Sequence, residues 1–400
     1  MQPFLSIIGL TEAGIEALCP TARQRLQRAK LVIGGLRHLA LAEPLINNEK
    51  QVWSNPIHIS IDTIIQQKSK PIVALASGDP FWYGVGSLIT RHLKREEWES
   101  FPGVSGYSLA HSQLGWRGQD TITLSLCGRP IETLRRYLTP FARLLILSAD
   151  GQTPYHVKNA LKQWNVPTYR FHLLEALGGI NEHVRCFSEK DCLPEHIHPL
   201  NMIALELDYL PFIPAKCGLE DHWFSHDGKL TKQNIRAATL SALQPFPGGL
   251  LWDIGTGSGS IAIEWILAYP TCQAIAIEHH HIRAKRAMEN ARTLGVPGLK
   301  IIEGEAPYVL ENLPEPHAVF IGGGSSSEQM IQTVWKALKP KGRLVINAVT
   351  SECEMQLLEC YKHWGGTLTR LHTEHYEPIG KFHGFRPTRT ITQYAVTKSV

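Results

Sequence analysis

Paired cysteines are missing from this chain. Its eight cysteines, at 19, 127, 186, 192, 217, 272, 353 and 360, are scattered and form no C-x-x-C pair. Neither a redox dithiol nor a zinc ribbon is indicated, and reduced thiols in a cytoplasmic protein are expected. Long apolar runs are missing as well: none approaches the roughly 20 residues that cross a bilayer, so no membrane association is expected. The opening MQPFLSIIGL lacks a basic region followed by a long apolar one, so no signal peptide is expected. Charge of one sign is scarce. The 40 Lys+Arg stand against 36 Asp+Glu, for a net +4 at pH 7. That balance does not imply a nucleic-acid partner. It leaves room for a polyanionic small molecule held by local Arg and Lys clusters.

What is present is a repeated alternation of strand and helix signals. A chain of 400 residues exceeds one ordinary core and implies two domains. In the second half LLWDIG, AIAIE, LKIIEGE, HAVFIGG and RLVINAV are short β-rich apolar runs. HIRAKRAMENARTLG and SSEQMIQTVWKALKPKG between them have helical spacing, the latter stopped by Pro340 and Gly342. TRTITQYAVTK reads as a last strand. This order predicts an α/β fold with a doubly wound, parallel, Rossmann-like sheet. The first half also alternates, with FLSIIGL, PIVALASGDP, RLLILSAD and NMIALEL as strands. Residues 207–230 are rich in Pro, Gly and aromatics and break the pattern. The expected division is a first domain over 1–210, a linker over 211–228 and a second domain over 229–400. The halves share no detectable period, so they read as two different α/β domains.

The stretch WDIGTGSGS carries the first chemical signal. Asp253 and Gly255 end a strand, and Thr256, Gly257, Ser258 and Gly259 turn into a helix. Glycines let a cofactor approach the backbone, and the helix start offers free N–H groups. The spacing is G-x-G-x-G, not the G-x-G-x-x-G of dinucleotide sites. With an acid two residues ahead of the first glycine, the turn suits a cofactor without a pyrophosphate, and S-adenosylmethionine (SAM) is the candidate. Glu278 ends the next strand, where a carboxylate can accept both ribose hydroxyls. Glu305 in EGEAP can reach the adenine edge. The fourth strand ends FIGGG, with no Asn/Asp-Pro-Pro-aromatic motif for an amine acceptor, which leaves room for a large, flat acceptor. The histidines of EHHH, 278–281, point in different directions and have no complementary cluster, so no metal site is expected.

LTKQNIRAATLSAL, LWDIGTGSGSIAIE, EGEAPYVLENLPEPHAVFIGGG and KPKGRLVINAVT together resemble the corrin-pathway methyltransferase domain that methylates carbon 15 and decarboxylates the ring C acetate. LASGDPFWYGVGSLI, FPGVSGYSLAHSQLGW, SLCGR and FHLLEALGG resemble the tetrapyrrole methylase family, in particular its carbon-5 member. The resemblance implies a first domain with the tetrapyrrole-methylase fold of two α/β subdomains, and one SAM per domain. In the first domain it implies donor contacts from Gly9, Gly78, Asp79, Pro80, Gly84 and Ser105. In the second it implies contacts from Thr231, the 255–259 loop, Glu278 and Ala306. Three positions depart from the family pattern. Thr11 stands at the middle glycine of the first loop, where a branched side chain crowds backbone approach. Cys127 stands where relatives have His and reads as a small buried thiol. Glu305 stands where relatives have Asp. The resemblance also implies a homo-oligomer.

A tetrapyrrole acceptor carbon is made nucleophilic by its pyrrole nitrogens, so the protein's task is positioning and exclusion of water. Loss of carbon dioxide leaves electrons that the conjugated ring accepts, and no metal is required. The acceptor is a polycarboxylate, for which Arg forks are the best match. Lys381, Arg386 and Arg389 in GKFHGFRPTR are expected in a substrate-covering loop, and Arg236, near Thr231, is a further candidate. Other readings are an RNA or protein methyltransferase with the first half as recognition module, a dinucleotide oxidoreductase, and a corrin methyltransferase whose first half only holds substrate.

Overall fold

Six consecutive buried residues, LSIIGL, form strand β1 (Leu5–Leu10), the signature of a parallel strand covered on both faces. In the computed structural model, which describes residues 3–214, 217–322 and 327–399, the chain divides into two units. The first is Met1–Ile131 with Thr139–Pro211, and the second is Glu132–Leu138 with Phe212–Val400.

The first unit holds two sheets. Strands β2 (Leu31–Gly34), β3 (Glu49–Val52), β4 (Ile72–Ser77) and β5 (Trp98–Phe101) join β1 in the order β3-β2-β4-β1-β5. Every pairing in it is parallel. Apolar clusters cover both faces, one around Ile8, Leu26 and Leu75, the other around Ile7, Ile64 and Ile89. The second sheet contains β6 (Thr121–Ser125), β7 (Arg143–Leu147), β8 (Tyr169–Glu175), β9 (His183–Ser188) and β10 (Asn201–Leu207) in the order β6-β7-β10-β8-β9. Only the β6–β7 pairing is parallel there. The expected runs are β1, β4, β7 and β10. Strands β3 and β9 escape an apolar pattern search because they are exposed edge strands, EKQV and HVRCFS.

The second unit is one seven-stranded sheet. Its strands β11 (Leu250–Ile254), β12 (Gln273–Glu278), β13 (Lys300–Glu303), β14 (Ala318–Ile321) and β15 (Arg343–Ala348) run parallel. Strand β16 (Thr367–Leu371) lies at one edge, and β19 (Ile391–Thr397) is inserted antiparallel between it and β15. The order is β13-β12-β11-β14-β15-β19-β16. The strand direction of connection reverses between β11 and β14, the place where doubly wound sheets open a ligand crevice. A separate antiparallel hairpin pairs β17 (Glu374–Ile379) with β18 (Phe382–Pro387). The stretch 211–228, expected as a linker, supplies core: Ile213, Leu219 and Phe224 are buried with Leu240, Trp265 and Phe320. Its alternation is broken because the chain wraps the core without adding a strand.

Candidate active sites

In the second unit the chain leaves β11 through Gly255 at φ +73, Gly257 at +60 and Gly259 at +81 before the helix Ser260–Ala268. These left-handed values explain the glycine run. Asp253 holds the turn from beneath. Its Oδ2 accepts from Thr256 Oγ1 at 2.6 Å and from the Ala262 N–H at 3.0 Å. Burial pushes its carboxyl up to about 6. Asp253 is wholly buried, and Thr256, Ser258 and Gly259 are buried beside it. These four therefore shape the loop, and the loop residues that face outward are Gly255 and Gly257.

Glu278 joins this loop to the next one. One carboxylate oxygen accepts from the Gly257 N–H at 2.9 Å and the other from the His280 N–H at 3.0 Å. The oxygen bonded to His280 also lies 3.3 Å from His279 Nδ1, so the oxygen bonded to Gly257 is the one with acceptor capacity left for a donor hydroxyl. Glu305 is exposed, and half-buried Ala306 precedes Pro307 through a cis bond. A chain segment through Lys229 and Thr231 runs beside the glycine loop: a Cβ on Gly257 would lie 3.4 Å from the Lys229 carbonyl. Asn290 ties the two together, a role its sequence gave no sign of. Its Oδ1 accepts from the Ser225 N–H, and its Nδ2 donates to the carbonyls of Ser225 and Ser258, each at 2.9 Å. Asp227 adds a 2.8 Å ion pair with Arg283, whose hydrogen bond draws the carboxyl down to about 2. Of FIGGG, Gly323 and Gly324 lie outside the described residues. His279 and His281 are exposed beside Glu278 and Glu303.

The four basic candidates part company. Arg236 is fully buried and pairs with Glu264 at 2.5 Å and Asp221 at 3.2 Å. It also donates to the carbonyls of Thr231 and Leu219. It is a core brace closed to a substrate, which corrects the expectation; a guanidinium inside the core is retained because carboxylates and carbonyls surround it. Of the expected substrate loop, Lys381 and Arg386 belong to a regular hairpin, 374–387, with Lys381 at its turn and Arg386 paired to Glu377 at 3.2 Å, while Arg389 is exposed in the segment between that hairpin and β19.

In the first unit the ends of β1 and β4 meet backbone on backbone. The Gly78 N–H donates to the Leu10 carbonyl at 2.8 Å, and the Gly103 N–H to the Gly78 carbonyl at 3.0 Å. A Cβ on Gly9 would stand 1.7 Å from the Gly78 oxygen, so Gly9 is required by packing. Asp79 accepts from the Phe81 N–H at 2.8 Å, which sets the turn after SGDP. Ser105 caps the helix Gly106–Leu114 by accepting from the Ser108 N–H.

These turns border a cavity of about 420 Å³, walled by residues of both sheets. Gly78, Asp79, Gly84 and Ser105 line it. Gly9 and Pro80 act from behind: a Cβ on Gly84 would meet the Pro80 carbonyl at 2.4 Å. Trp82, stacked on Tyr107 with ring centroids 5.0 Å apart, gives the wall a flat aromatic surface. Thr11 also lines the cavity, half-buried, with its carbonyl accepting from the Gly14 N–H at 3.0 Å. Cys127 corrects an expectation, being exposed and on the cavity wall with its thiol 3.3 Å from the Ser148 carbonyl. Glu12, Arg37 and His38 line the cavity too and were not picked out from the sequence. Their only sequence signal is a polar Arg-His pair following the buried strand β2.

Both sites suit SAM: a glycine turn beside an acid with spare acceptor capacity in one unit, and an aromatic-walled cavity bordered by turn N–H groups in the other. Among the described residues, no group of His, Cys, Asp or Glu is placed to hold a metal, and no helix is long and apolar enough to cross a membrane.

Residues 5–190 match the family model of tetrapyrrole (corrin/porphyrin) methylases, and residues 222–398 match that of the precorrin methyltransferase domain. Fold, sites and matches define a SAM-dependent methyltransferase assembled from two unlike methyltransferase domains. The chain is 43% identical to a precorrin-6Y C(5,15)-methyltransferase [decarboxylating] of Sinorhizobium sp, over 100% of this chain and 97% of that protein. It belongs to the family of precorrin-6Y C(5,15)-methyltransferases (decarboxylating). It is also 31% identical to the cobalt-precorrin-6B C(15)-methyltransferase (decarboxylating) of Salmonella typhimurium, over 42% of this chain and 89% of that protein. Among solved structures it resembles the C-terminal domain of precorrin-6Y C5,15-methyltransferase from Rhodobacter capsulatus. The identity is 40%, covering 46% of this chain and 100% of that one, with a TM-score of 0.45.

Proposed function

We propose that this chain methylates a precorrin at carbons 5 and 15 and removes the ring C acetate carboxyl as carbon dioxide, in corrin biosynthesis. The first unit carries the carbon-5 transfer; the second carries the carbon-15 transfer and the decarboxylation. The observation that supports this reading is that one chain holds two unlike α/β units, one with a cavity bordered by Gly78, Asp79 and Ser105, the other with a left-handed glycine turn braced by Asp253 and Glu278. The Salmonella typhimurium relative supports the division of labour, since a protein named for the C(15) reaction alone aligns with a share of this chain that fits within one unit.

SAM, when bound, supplies an electrophilic methyl group on a sulfonium. In the second unit Gly255 and Gly257 let the donor approach, Glu278 takes its ribose, and Glu305, Ala306 and Thr231 border the adenine. In the first unit Gly78, Asp79, Gly84 and Ser105 border the donor, and the Trp82–Tyr107 wall offers a flat acceptor an aromatic surface. The chain's contribution is to orient the acceptor carbon in line and to keep water out. Lys381, Arg386 and Arg389 on the hairpin turn and its flank meet acceptor carboxylates. Thr11 supports an active first site, because the cavity persists with its side chain in place. The acceptor is the chain's partner in place of nucleic acid, and the working form is a cytoplasmic homo-oligomer.

The test is mass spectrometry of the product formed from the reduced precorrin and SAM. The reading expects two methyl groups gained and one carbon dioxide lost. A product with a single added methyl group sinks the assignment of the first unit.

A further inference from the structure

The first-unit cavity presents a problem of charge. Its wall is chiefly apolar and aromatic, and the carboxylates on it are Glu12 and Asp79. An acceptor that carries several carboxylates enters such a space only if a cation meets it. Among the residues lining the cavity the formal cation is Arg37.

Arg37 sits in the first turn of the helix Leu36–Ala42, directly after β2. Its guanidinium is held from several directions. Nη1 pairs with Glu12 in the turn after β1. Nη2 lies 2.9 Å from Ser77 Oγ, at the end of β4, and 2.8 Å from His38 Nε2. Because Arg37 is always a donor, His38 Nε2 must accept, which requires a neutral ring. Burial and the adjacent guanidinium push His38 down to about 4, in keeping with that state. The Arg37 side chain is nevertheless a third exposed. A plain brace between two loops would be closed off, as Arg236 is. Arg37 is instead fixed in orientation on the cavity wall with its side chain part-exposed, the arrangement that lowers the ordering cost of binding a ligand.

We infer that Arg37 is the carboxylate anchor of the first site, oriented by Glu12, Ser77 and His38 to receive a ligand carboxylate by a charge-assisted hydrogen bond. This rests on the reading of the first unit as a methyl-transfer site. The carboxylate comes from an acceptor side chain or from the methionyl end of the donor, and both present the same chemistry to the fork. Glu12 is a positioning residue that also competes for the guanidinium.

The experiment uses the full chain carrying Gly257→Val, so that only the first site is read. SAM binding is followed by calorimetry and the acceptor KM by single-methyl product formation. Arg37→Ala weakens one of these by about 10- to 100-fold, the range for a lost charged hydrogen bond. A rise in acceptor KM with unchanged SAM affinity assigns the carboxylate to the acceptor, and weakened SAM binding assigns it to the donor. Arg37→Lys restores part of the loss by keeping the charge without the fork. Glu12→Gln separates anchor from brace. Gln keeps the hydrogen-bond acceptor that orients Arg37 but not the competing charge, so an anchor binds its ligand as well or better, whereas a charge-paired brace loses function with either charge removed. Unchanged SAM affinity and acceptor KM in Arg37→Ala overturn the inference, as does a Glu12→Gln loss equal to that of Arg37→Ala. Melting temperatures equal to the parent's exclude misfolding as the cause. If the parent itself adds no methyl group to the acceptor, the reading of the first unit fails, independently of Arg37.

Discussion

The two units both build their candidate sites on glycines, but use them in opposite ways. In the first unit Gly9, Gly78 and Gly103 bring strand ends and loops together backbone on backbone, with a Cβ on Gly9 excluded at 1.7 Å. The cavity surface is then supplied by side chains, Trp82, Tyr107 and Arg37 among them. In the second unit Gly255, Gly257 and Gly259 take left-handed dihedrals, and the loop backbone at Gly255 and Gly257 is itself the surface. There the side chains work from beneath: Asp253, Glu278 and Asn290 are buried and hold the loop by hydrogen bonds. A glycine can thus make room within the protein or leave the loop backbone itself at the surface, and the atoms a Cβ would meet tell which.

The largest expected effect breaks the second site alone. Gly257→Val forces a branched residue to φ +60 with its Cβ 3.4 Å from the Lys229 carbonyl. SAM affinity at that site should fall on the order of 100-fold or more from strain and crowding, and a calorimetric titration should lose that binding event while the first-unit event keeps its affinity. A loss of both events would mean the sites are not separate.

The matching change in the first unit is milder. Asp79→Ala removes the acceptor for the Phe81 N–H and loosens the turn after β4. The first methylation should slow about 10-fold, the scale of one hydrogen bond at a site. The second methylation, followed by carbon dioxide release on an acceptor already methylated at the first position, should hold its rate. Equal slowing of both reactions would argue for a shared site.

Acidity should act on the units with opposite sign. His38 drops from 6.5 to about 4 on folding, so its contribution is present above 6.5 and is lost as pH falls through 4. Asp253 rises from 3.8 to about 6. Its contribution is present below 3.8 and is lost as pH rises through 6. Hydrogen exchange resolved by peptide should show His38→Gln flattening the pH slope of first-unit protection and Asp253→Asn flattening that of the second unit, in opposite directions. Slopes unchanged by either variant would show that these groups do not titrate as described.

The smallest effect belongs to Thr11→Gly. Thr11 lines a cavity that stays open, so SAM affinity at the first site should change by no more than about threefold, against the standard of a few tenths to 1 kcal/mol for a glycine exchange. A tenfold gain would show that the threonine obstructs the donor.

The longer apolar strands, such as β1, β4, β7 and β11, were legible from the sequence, as was the glycine turn with Asp253 and Glu278, because burial on both faces and left-handed turns write directly into residue type; the four-residue β2, LVIG, is buried throughout but too short to stand out. The exposed edge strands β3 and β9 and the hairpin β17–β18 were not, since their residues are largely exposed and carry no continuous apolar run. Arg236 and Arg37 show the same limit for sites. Both are arginines near the start of a helix, and only the fold reveals that one is enclosed by Glu264 and Asp221 while the other opens on a cavity. Asn290 and the core residues of 211–228 likewise acquire their roles through contacts that no local pattern encodes.

The central claim is that two independent methyl-transfer sites share this chain, and the most direct measurement is the mass of the product made from the reduced precorrin by the parent chain and by Gly257→Val. Two methyl groups gained and one carbon dioxide lost are expected with the parent, and one methyl group gained with the carboxyl retained in the variant. A variant product that still carries two new methyl groups, or that has lost carbon dioxide, would contradict that claim.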